Sequence, residues 1–492
     1  MKKVIVAILF GVAVLFSTML IKVVTFTSKQ IEADPITNLK VDKQQAAFNL
    51  SRLIQCKTIS AQEKINFDPA EFVEFHQILE KSFPRIHNNL KKTVVNNFSL
   101  LYTWNGRDKS LKPIVLLAHI DVVPISSGTE KDWTYPPFSG QIADNYVWGR
   151  GGLDDKGCLV AIMEAVEALL ADGYTPQRTL YLAFGHDEEI LGDQGAAHIA
   201  ALLKSRNIEA EWILDEGAFI GIDLFPSVTQ PVSMIGIAEK GYMTLELTAE
   251  QEGGHSSMPP PHSAIGILSS AIHHLQENPF PAKLEGPSMQ LLEFVGPEMP
   301  FGMKFLFANK WLFEFLIKIE VEKTNSGNAT IRTTSAPTIF HAGTKENVLP
   351  QKAMAKVNFR LYPGDSIEDV IEQVKKIVND PRVHIKLTSQ GAREASSVSD
   401  IHSESFKLIQ RTISQVFPDT IIAPSLVVAS TDTTHYQEIS KNTYRFLPIR
   451  STSKDFARLH GTDERINMDS LEEMIKFYIQ LIRNSNKGQG IL

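Results

Sequence analysis

Cysteine is nearly absent: Cys56 and Cys158 are the only two in 492 residues. Two thiols cannot form the disulfide framework that staples small exported domains, and whether this one pair joins stays open. A basic surplus is missing too. With 49 Lys and Arg against 56 Asp and Glu, the formal charge is -7 and the isoelectric point about 6.1. That excludes the positive surface on which nucleic-acid binding depends.

What is present starts at the N-terminus, where Lys2 and Lys3 precede an apolar run from Val4 to Ile21, closed by Lys22. A run of roughly 18 residues begins to qualify as a membrane span and exceeds a usual signal-peptide core. Val23 to Ser28 offers no small-x-small cleavage site. A retained signal anchor over residues 1–30 is therefore favoured over a cleaved signal peptide. Either form implies export, as a membrane-anchored chain or, after cleavage, a secreted one. Lys2 and Lys3 favour a cytoplasmic N-terminus with the body outside, while Lys22 and Lys29 reduce the asymmetry. Asn49-Leu50-Ser51, Asn97-Phe98-Ser99 and Asn328-Ala329-Thr330 match the glycosylation acceptor pattern, as they also would by chance.

The length exceeds what one hydrophobic core usually organises, so two domains are expected. After a polar linker near Glu32 to Asp42, helical periodicity over Gln44–Ile54 and Pro69–Phe83 leads to a short apolar run, Ile114–Ala118, suited to a buried strand. A helix through Leu159–Leu170 and a strand at Thr179–Phe184 continue an α/β alternation. From about Ile237 the pattern changes. Met243–Thr248 alternates as a half-exposed strand and Ala353–Leu361 does so less strictly, with a helical pattern at Ala264–Gln276 between them. The reading is an α/β protein with a mixed sheet flanked by helices: a discontinuous catalytic domain, 36–237 and 391–492, and an inserted α+β lid domain, 238–390.

His119, Asp154, Glu189, Asp215 and His460 carry the chemistry. They are metal-ligand residue types at predicted strand ends and loops, where α/β sheets gather their active residues. Five are more than one tetrahedral zinc needs, so they point to two divalent metal ions. Asp154 is the candidate bridge, and His119 with Asp215, and Glu189 with His460, can complete two sites. A base must accept the proton of the attacking water, and Glu188, adjacent to a ligand, is placed for that. Asp121, two residues past His119, can bond the second ring nitrogen. Any one of these acids alone is more often a cap or a solvated charge; the joint pattern is the signal, and the apolar strand Leu180–Phe184 feeds almost directly into His186-Asp187-Glu188-Glu189.

The strings Leu117-Ala118-His119-Ile120-Asp121-Val122-Val123-Pro124, Gly149-Arg150-Gly151-Gly152-Leu153-Asp154-Asp155-Lys156-Gly157 and His186-Asp187-Glu188-Glu189 resemble the M20 family of metallopeptidases, close to its carboxypeptidase S and N-fatty-acyl-amino-acid hydrolase branch. The resemblance continues through Gly254-His255-Ser256-Ser257, Ala342–Pro350 and Leu459-His460-Gly461-Thr462-Asp463-Glu464-Arg465, covering nearly everything after the anchor. It implies a two-zinc catalytic domain with a smaller lid. It also implies that His119 and Asp215 hold one zinc, that Glu189 and His460 hold the other, and that Asp154 bridges them. Glu188 would be the general base and Asp121 the orienting acid. His255 would stabilise the developing charge on the scissile carbonyl oxygen, and Asn347 and Arg360 would contact substrate. For Arg360 a structural ion pair is an equal account. Asp155 would shape the loop beside Asp154, where the resemblance suggests an unusual peptide bond; Arg150 stands nearby, and Asp432 either lines the pocket or forms a turn.

Phe301–Phe307 and Trp311–Ile317 are unusually apolar for a lid. Packing within that domain is the favoured account; exposed, they would receive an acyl chain or touch a membrane. The function expected is a metal-dependent hydrolase, a carboxypeptidase or N-acyl-amino-acid hydrolase acting on small peptides or N-acyl amino acids beside a free carboxylate. The alternative is a membrane-tethered, non-catalytic binding protein retaining the fold. Oligomeric state leaves no trace in the pattern.

Overall fold

The computed structural model describes the chain except residues 38, 61–66, 226, 389–390 and 487–492. Among the described residues the larger sheet has 10 strands. Three parallel strands form the centre, Leu180–Gly185, Ile114–His119 and Trp212–Asp215, and all their residues are buried. Alternate residues serve two cores: Leu116, Ala118, Leu182 and Phe184 face one cluster, Val115, Leu117, Tyr181 and Ala183 the other. A strand covered on both faces reads as an apolar run rather than an alternation, which is the pattern of Ile114–Ala118. Helices Lys43–Ile54, Lys156–Ala171 and Met468–Asn484 supply the first cluster and Ala196–Ser205 the second. Strands Ile421–Val427 and Thr443–Arg445 join the same sheet beside Val232–Glu239 and Trp212–Asp215, so the chain's last part returns to the edge of the first.

The second sheet is antiparallel, in the order Thr334–Ala342, Lys352–Leu361, Gly241–Glu250, Val383–Leu387. Gly241–Glu250 alternates between buried and half-buried residues. Helices Ala264–Glu277 and Ile367–Val378 cover one face through Leu245, Leu247, Val357, Phe359, Leu268 and Val374. The other face opens on a cavity of about 570 Å³ lined by Tyr242, Thr244, Asn358 and Arg360 among others.

Expected elements end within a few residues of observed ones: Lys43–Ile54, Pro69–Ser82, Lys156–Ala171, Leu180–Gly185 and Ala264–Glu277. Between Ala264–Glu277 and Thr334–Ala342 lie helices Gly286–Val295, Phe301–Ala308 and Lys310–Glu322, whose Phe294, Val295, Phe307 and Ile317 pack into the first core, not the second. The apolar segment expected to pack within the lid therefore leans on the other body. The expected lid boundary at 390 lies outside the described residues.

The Glu32–Asp42 stretch is tied down in part: Ile36 N donates to the Gln415 carbonyl (2.9 Å), and just before it Ser414 Oγ donates to the Ile31 carbonyl (2.9 Å). Irregular backbone on a surface needs such partners. Both cysteines are free and buried, Cys158 Sγ lying 3.0 Å from the Tyr478 hydroxyl. Asn49 is 3% exposed and donates to Glu164 Oε1 (2.7 Å), so that acceptor match is closed to a glycan in the fold, whereas Asn97 is exposed. Residues Lys2–Thr25 form one helix with mean hydropathy 2.8, long and apolar enough to cross a membrane.

Candidate active site

His119 is the last residue of the central strand Ile114–His119, at the carboxyl edge of the larger sheet. Its ring is 1% exposed, with Nε2 2.8 Å from Asp154 Oδ1, and Nδ1 3.0 Å from the Asp121 carbonyl and 3.4 Å from Asp121 Oδ1. Asp121 does a second task, its two carboxylate oxygens accepting from the backbone N–H of Glu188 and of Glu189, both at 3.1 Å. One buried acid thus fixes an imidazole and the turn that follows Leu180–Gly185.

Asp154 lies between two imidazoles. Its Oδ1 meets His119 and its Oδ2 is 2.9 Å from His460 Nε2, which is also 3.2 Å from Glu189 Oε2. One ligand atom each of His119, Asp154 and Glu189 lie within 4.8 Å of one another. Glu188 Oε2 is 4.0 Å from His119 Nε2. Residues from 119 to 460 converge because the chain's last part rejoins the larger sheet.

Asp215 closes strand Trp212–Asp215, beside His119's strand, and its oxygens accept from Glu216 N (3.0 Å) and Thr433 N (3.1 Å). Among the described residues it makes no hydrogen bond or ion pair with the other donors. Glu216, next to it in sequence, feels the charges of Asp154, Asp155, Asp215 and His119 together.

The electrostatics follow the crowding. Burial pushes Asp154 up, but the His119 and His460 hydrogen bonds outweigh it and hold Asp154 below its usual range. Those to Asp154 and Glu189 push His460 up to about 10. Burial first, then the charge of Asp154, lifts Glu189 to about 7; burial and Glu239 lift Asp215 to about 6. Burial holds Glu188 well above the carboxylate range, helped by Glu189, Glu216 and Asp432 and opposed by His119. Carboxylates this crowded are costly unless cations neutralise them. Glu189 Oε1 is moreover buried with no hydrogen-bond partner among the described residues. The oxygen and imidazole donors suit hydrolytic divalent metals, and the site fits such ions.

Glu464, fully buried, was not singled out by sequence reasoning. Its Oε1 accepts from the backbone N–H of Gly151 (2.9 Å), Leu153 (3.0 Å) and Asp154 (3.3 Å), and its Oε2 pairs with Arg150, whose Nη2 donates to the His460 carbonyl (3.0 Å). This one carboxylate ties the Asp154 loop to the His460 loop. The signal was present, since Glu464 and Arg150 sit in the strings that carried Asp154 and His460. The Asp154–Asp155 peptide is cis, and Asp155 Oδ2 accepts from His119 N (3.3 Å). Asp432, 5% exposed, presses so closely on Gly185 and Gly192 that a Cβ at either would lie within 2.4 Å of its oxygens.

The remaining candidates stand on other elements. His255 is exposed on the strand Gly254–His255, which pairs with Val348–Leu349; its Nδ1 is 2.8 Å from Ser257 Oγ, and Asn347 O accepts from Ser256 N (3.2 Å). His255 and Asn347 are therefore neighbours, and His255 makes no hydrogen bond or ion pair with the donor cluster among the described residues. Arg360, on the open face of the second sheet, lies over Tyr242 at 4.9 Å and within the field of Glu188 and Glu239. It forms no ion pair among the described residues.

Residues 115–484 match the model of Peptidase family M20/M25/M40. The chain is 43% identical over 479 residues to probable carboxypeptidase S-like 2 of Dictyostelium discoideum, covering 95% of this chain and 92% of that one. It is 37% identical over 488 residues to N-fatty-acyl-amino acid synthase/hydrolase PM20D1 of Xenopus tropicalis, covering 98% and 94%. In fold it is similar to the M20 family metallo-carboxypeptidase Sso-CP2 from Sulfolobus solfataricus, with a TM-score of 0.63, 18% identity and coverage of 90% and 99%. The fold and the convergent donors define a metal-dependent hydrolase of peptide or N-acyl bonds. The chain belongs to peptidase family M20, and membership does not favour a non-catalytic binding protein.

Proposed function

We propose that this chain cleaves the amide bond of small peptides or N-acyl amino acids next to a free carboxylate, releasing an amino acid, with two zinc ions held by His119, Asp154, Glu189, Asp215 and His460. The observation that carries this reading is the Asp154 carboxylate, with one oxygen on His119 and the other on His460. A carboxylate engaged on both sides is what two cations sharing one ligand require. His119 with Asp215 would hold one ion, Glu189 with His460 the other.

Bound there, the ions would supply a water made nucleophilic at neutral pH and positive charge facing the substrate carbonyl. Glu188 would take the proton of that water and return it to the leaving amine, as a carboxylate beside the donor cluster can. Asp121 holds the His119 ring and the Glu188-Glu189 backbone in place. Within the segment 238–390, the second sheet with helices Ala264–Glu277 and Ile367–Val378 acts as a lid, from which His255 reaches the scissile carbonyl oxygen as closure brings it in. Asn347, next to His255, contacts the same end of the substrate. Arg360 pairs with the substrate's free carboxylate, and its lack of an ion pair among the described residues supports that role. The body lies outside the cell, anchored by residues 1–30.

The test is amino-acid release by the zinc-loaded full chain from matched N-fatty-acyl amino acids and dipeptides, with Glu188→Ala as control. Release that vanishes in Glu188→Ala supports the hydrolase, and the better substrate names its class. No release from either panel with metal bound would overturn it.

A further inference from the structure

Helix Lys310–Glu322 wears its apolar side outward. Trp311, Leu312, Phe315, Leu316 and Ile319 are 40–71% exposed, while Ile317 alone is buried. At 100° per residue the five exposed positions fall within about 140° of arc, and Glu314 and Lys318, paired at 2.7 Å, lie off it. A soluble surface helix turns such a stripe inward; turned outward, it marks a surface that something apolar covers.

The neighbours say what covers it. The helix Lys2–Thr25, only 6% buried across its span window, packs against Phe301–Ala308 near its C-terminal end. Rings run across the junction: Phe16 to Phe305 at 6.5 Å, then Phe305 to Phe301 and to Phe313, both at 6.1 Å. The outward stripe thus borders a helix already suited to a bilayer. Lys22 lies 6.0 Å from the Trp311 ring, and Lys29 and Lys310 both pair with Glu293, so cations and an indole gather at one level, as they do where a protein crosses into headgroups. Phe16 precedes Lys22 by six residues, about 9 Å of helix, so Phe305 sits below that level.

The turn between Phe301–Ala308 and Lys310–Glu322 would carry polar backbone into the lipid layer, and it is covered. It consists of Asn309, 0% exposed, whose Nδ2 donates to the carbonyls of Met19 (3.2 Å) and Phe305 (2.9 Å). Backbone that bends within hydrocarbon needs such partners. The exit from the N-terminal helix is held as well: Gln30 exchanges hydrogen bonds with Ile422, its Nε2 donating to the carbonyl (3.1 Å) and its Oε1 accepting from N–H (2.8 Å). Helix, hairpin and catalytic body are therefore fixed to one another.

We infer that Phe301–Ala308 and Lys310–Glu322 form a hairpin that sits in the outer leaflet of the lipid bilayer beside the spanning helix, with Phe315 and Leu316 among the acyl chains and Trp311 at their headgroup boundary. The inference is independent of the hydrolase reading. The chain reports on it without engineering, because Trp104, Trp133, Trp148 and Trp212 are all under 9% exposed and Trp311 is 52% exposed. The full chain reconstituted in phosphatidylcholine vesicles should lose Trp311 emission when the lipid carries bromine on its acyl chains. The loss should disappear in Trp311→Phe and shrink in Phe315→Glu/Leu316→Glu. Undiminished Trp311 emission in brominated lipid would overturn the inference, whether the stripe then cross-links to a second copy or stays in water. So would a chain that sheds its N-terminal helix and leaves the membrane.

Discussion

The surroundings of the two candidate histidines, His119 and His255, are built in opposite ways. His119 ends a strand covered on both faces, and Asp154 and Asp121 grip its ring from two sides. His255 stands exposed on a two-residue strand, with Ser257 as its side-chain partner. The donor cluster is set by core packing and a buried acid network before any substrate arrives. His255 has little to hold it in one place, and on the proposed mechanism it acts only when the second sheet approaches the first.

That contrast can be broken from either side. The largest effect is expected at Glu188, where Glu188→Gln should lower kcat by about 10²–10⁴-fold with bound metal unchanged, as measured by steady-state hydrolysis and metal analysis of the same sample. A variant that loses metal in parallel would make Glu188 a ligand instead. Next comes His255→Ala, expected to lower kcat by about 10²–10³-fold while leaving the thermal midpoint where it was, because an exposed side chain contributes little to the core. A fall in the midpoint would show that His255 is structural. Arg360→Lys keeps the charge but loses the two-pronged geometry, and KM for a carboxylate-bearing substrate should rise about tenfold, against little change for its amide.

How far each side was legible follows from the same contrast. The strands leading to His119 and to Glu188-Glu189 are buried on both faces, so their apolar runs mark themselves and the acids stand out at their ends. Glu464 escaped notice because one of its oxygens serves the backbone N–H groups of Gly151, Leu153 and Asp154, some 310 residues away and without side-chain identity. The pairing of Gly254–His255 with Val348–Leu349 is too short for periodicity to reveal. The stripe on Lys310–Glu322 was visible as a stripe, but whether it faces in or out depends on neighbours from the first core and the N-terminal helix. Phe307 and Ile317 do pack, on the first core rather than within the lid, and the stripe of Lys310–Glu322 is left outward.

The smallest expected effect lies away from both groups. Burial lifts Glu164 from 4.5 to about 7, with the Asn49 amide opposing. The folded chain then holds a proton that the unfolded chain releases above pH 4.5, so this group's contribution is fully present below 4.5 and is lost as the pH rises through 7. Glu164→Gln cannot lose that proton. Relative to wild type it should gain about 1–3 kcal/mol between pH 5 and pH 8, read as a difference of thermal midpoints. Equal midpoints at both values would place the charge in water.

The account rests on Asp154 joining two ions inside a preset cluster, and the direct measurement is zinc bound per chain for wild type and Asp154→Asn after dialysis against trace metal. The account predicts two in the wild type and fewer than one in the variant, with both proteins folded. One or none in the wild type, or two retained by Asp154→Asn, would contradict it.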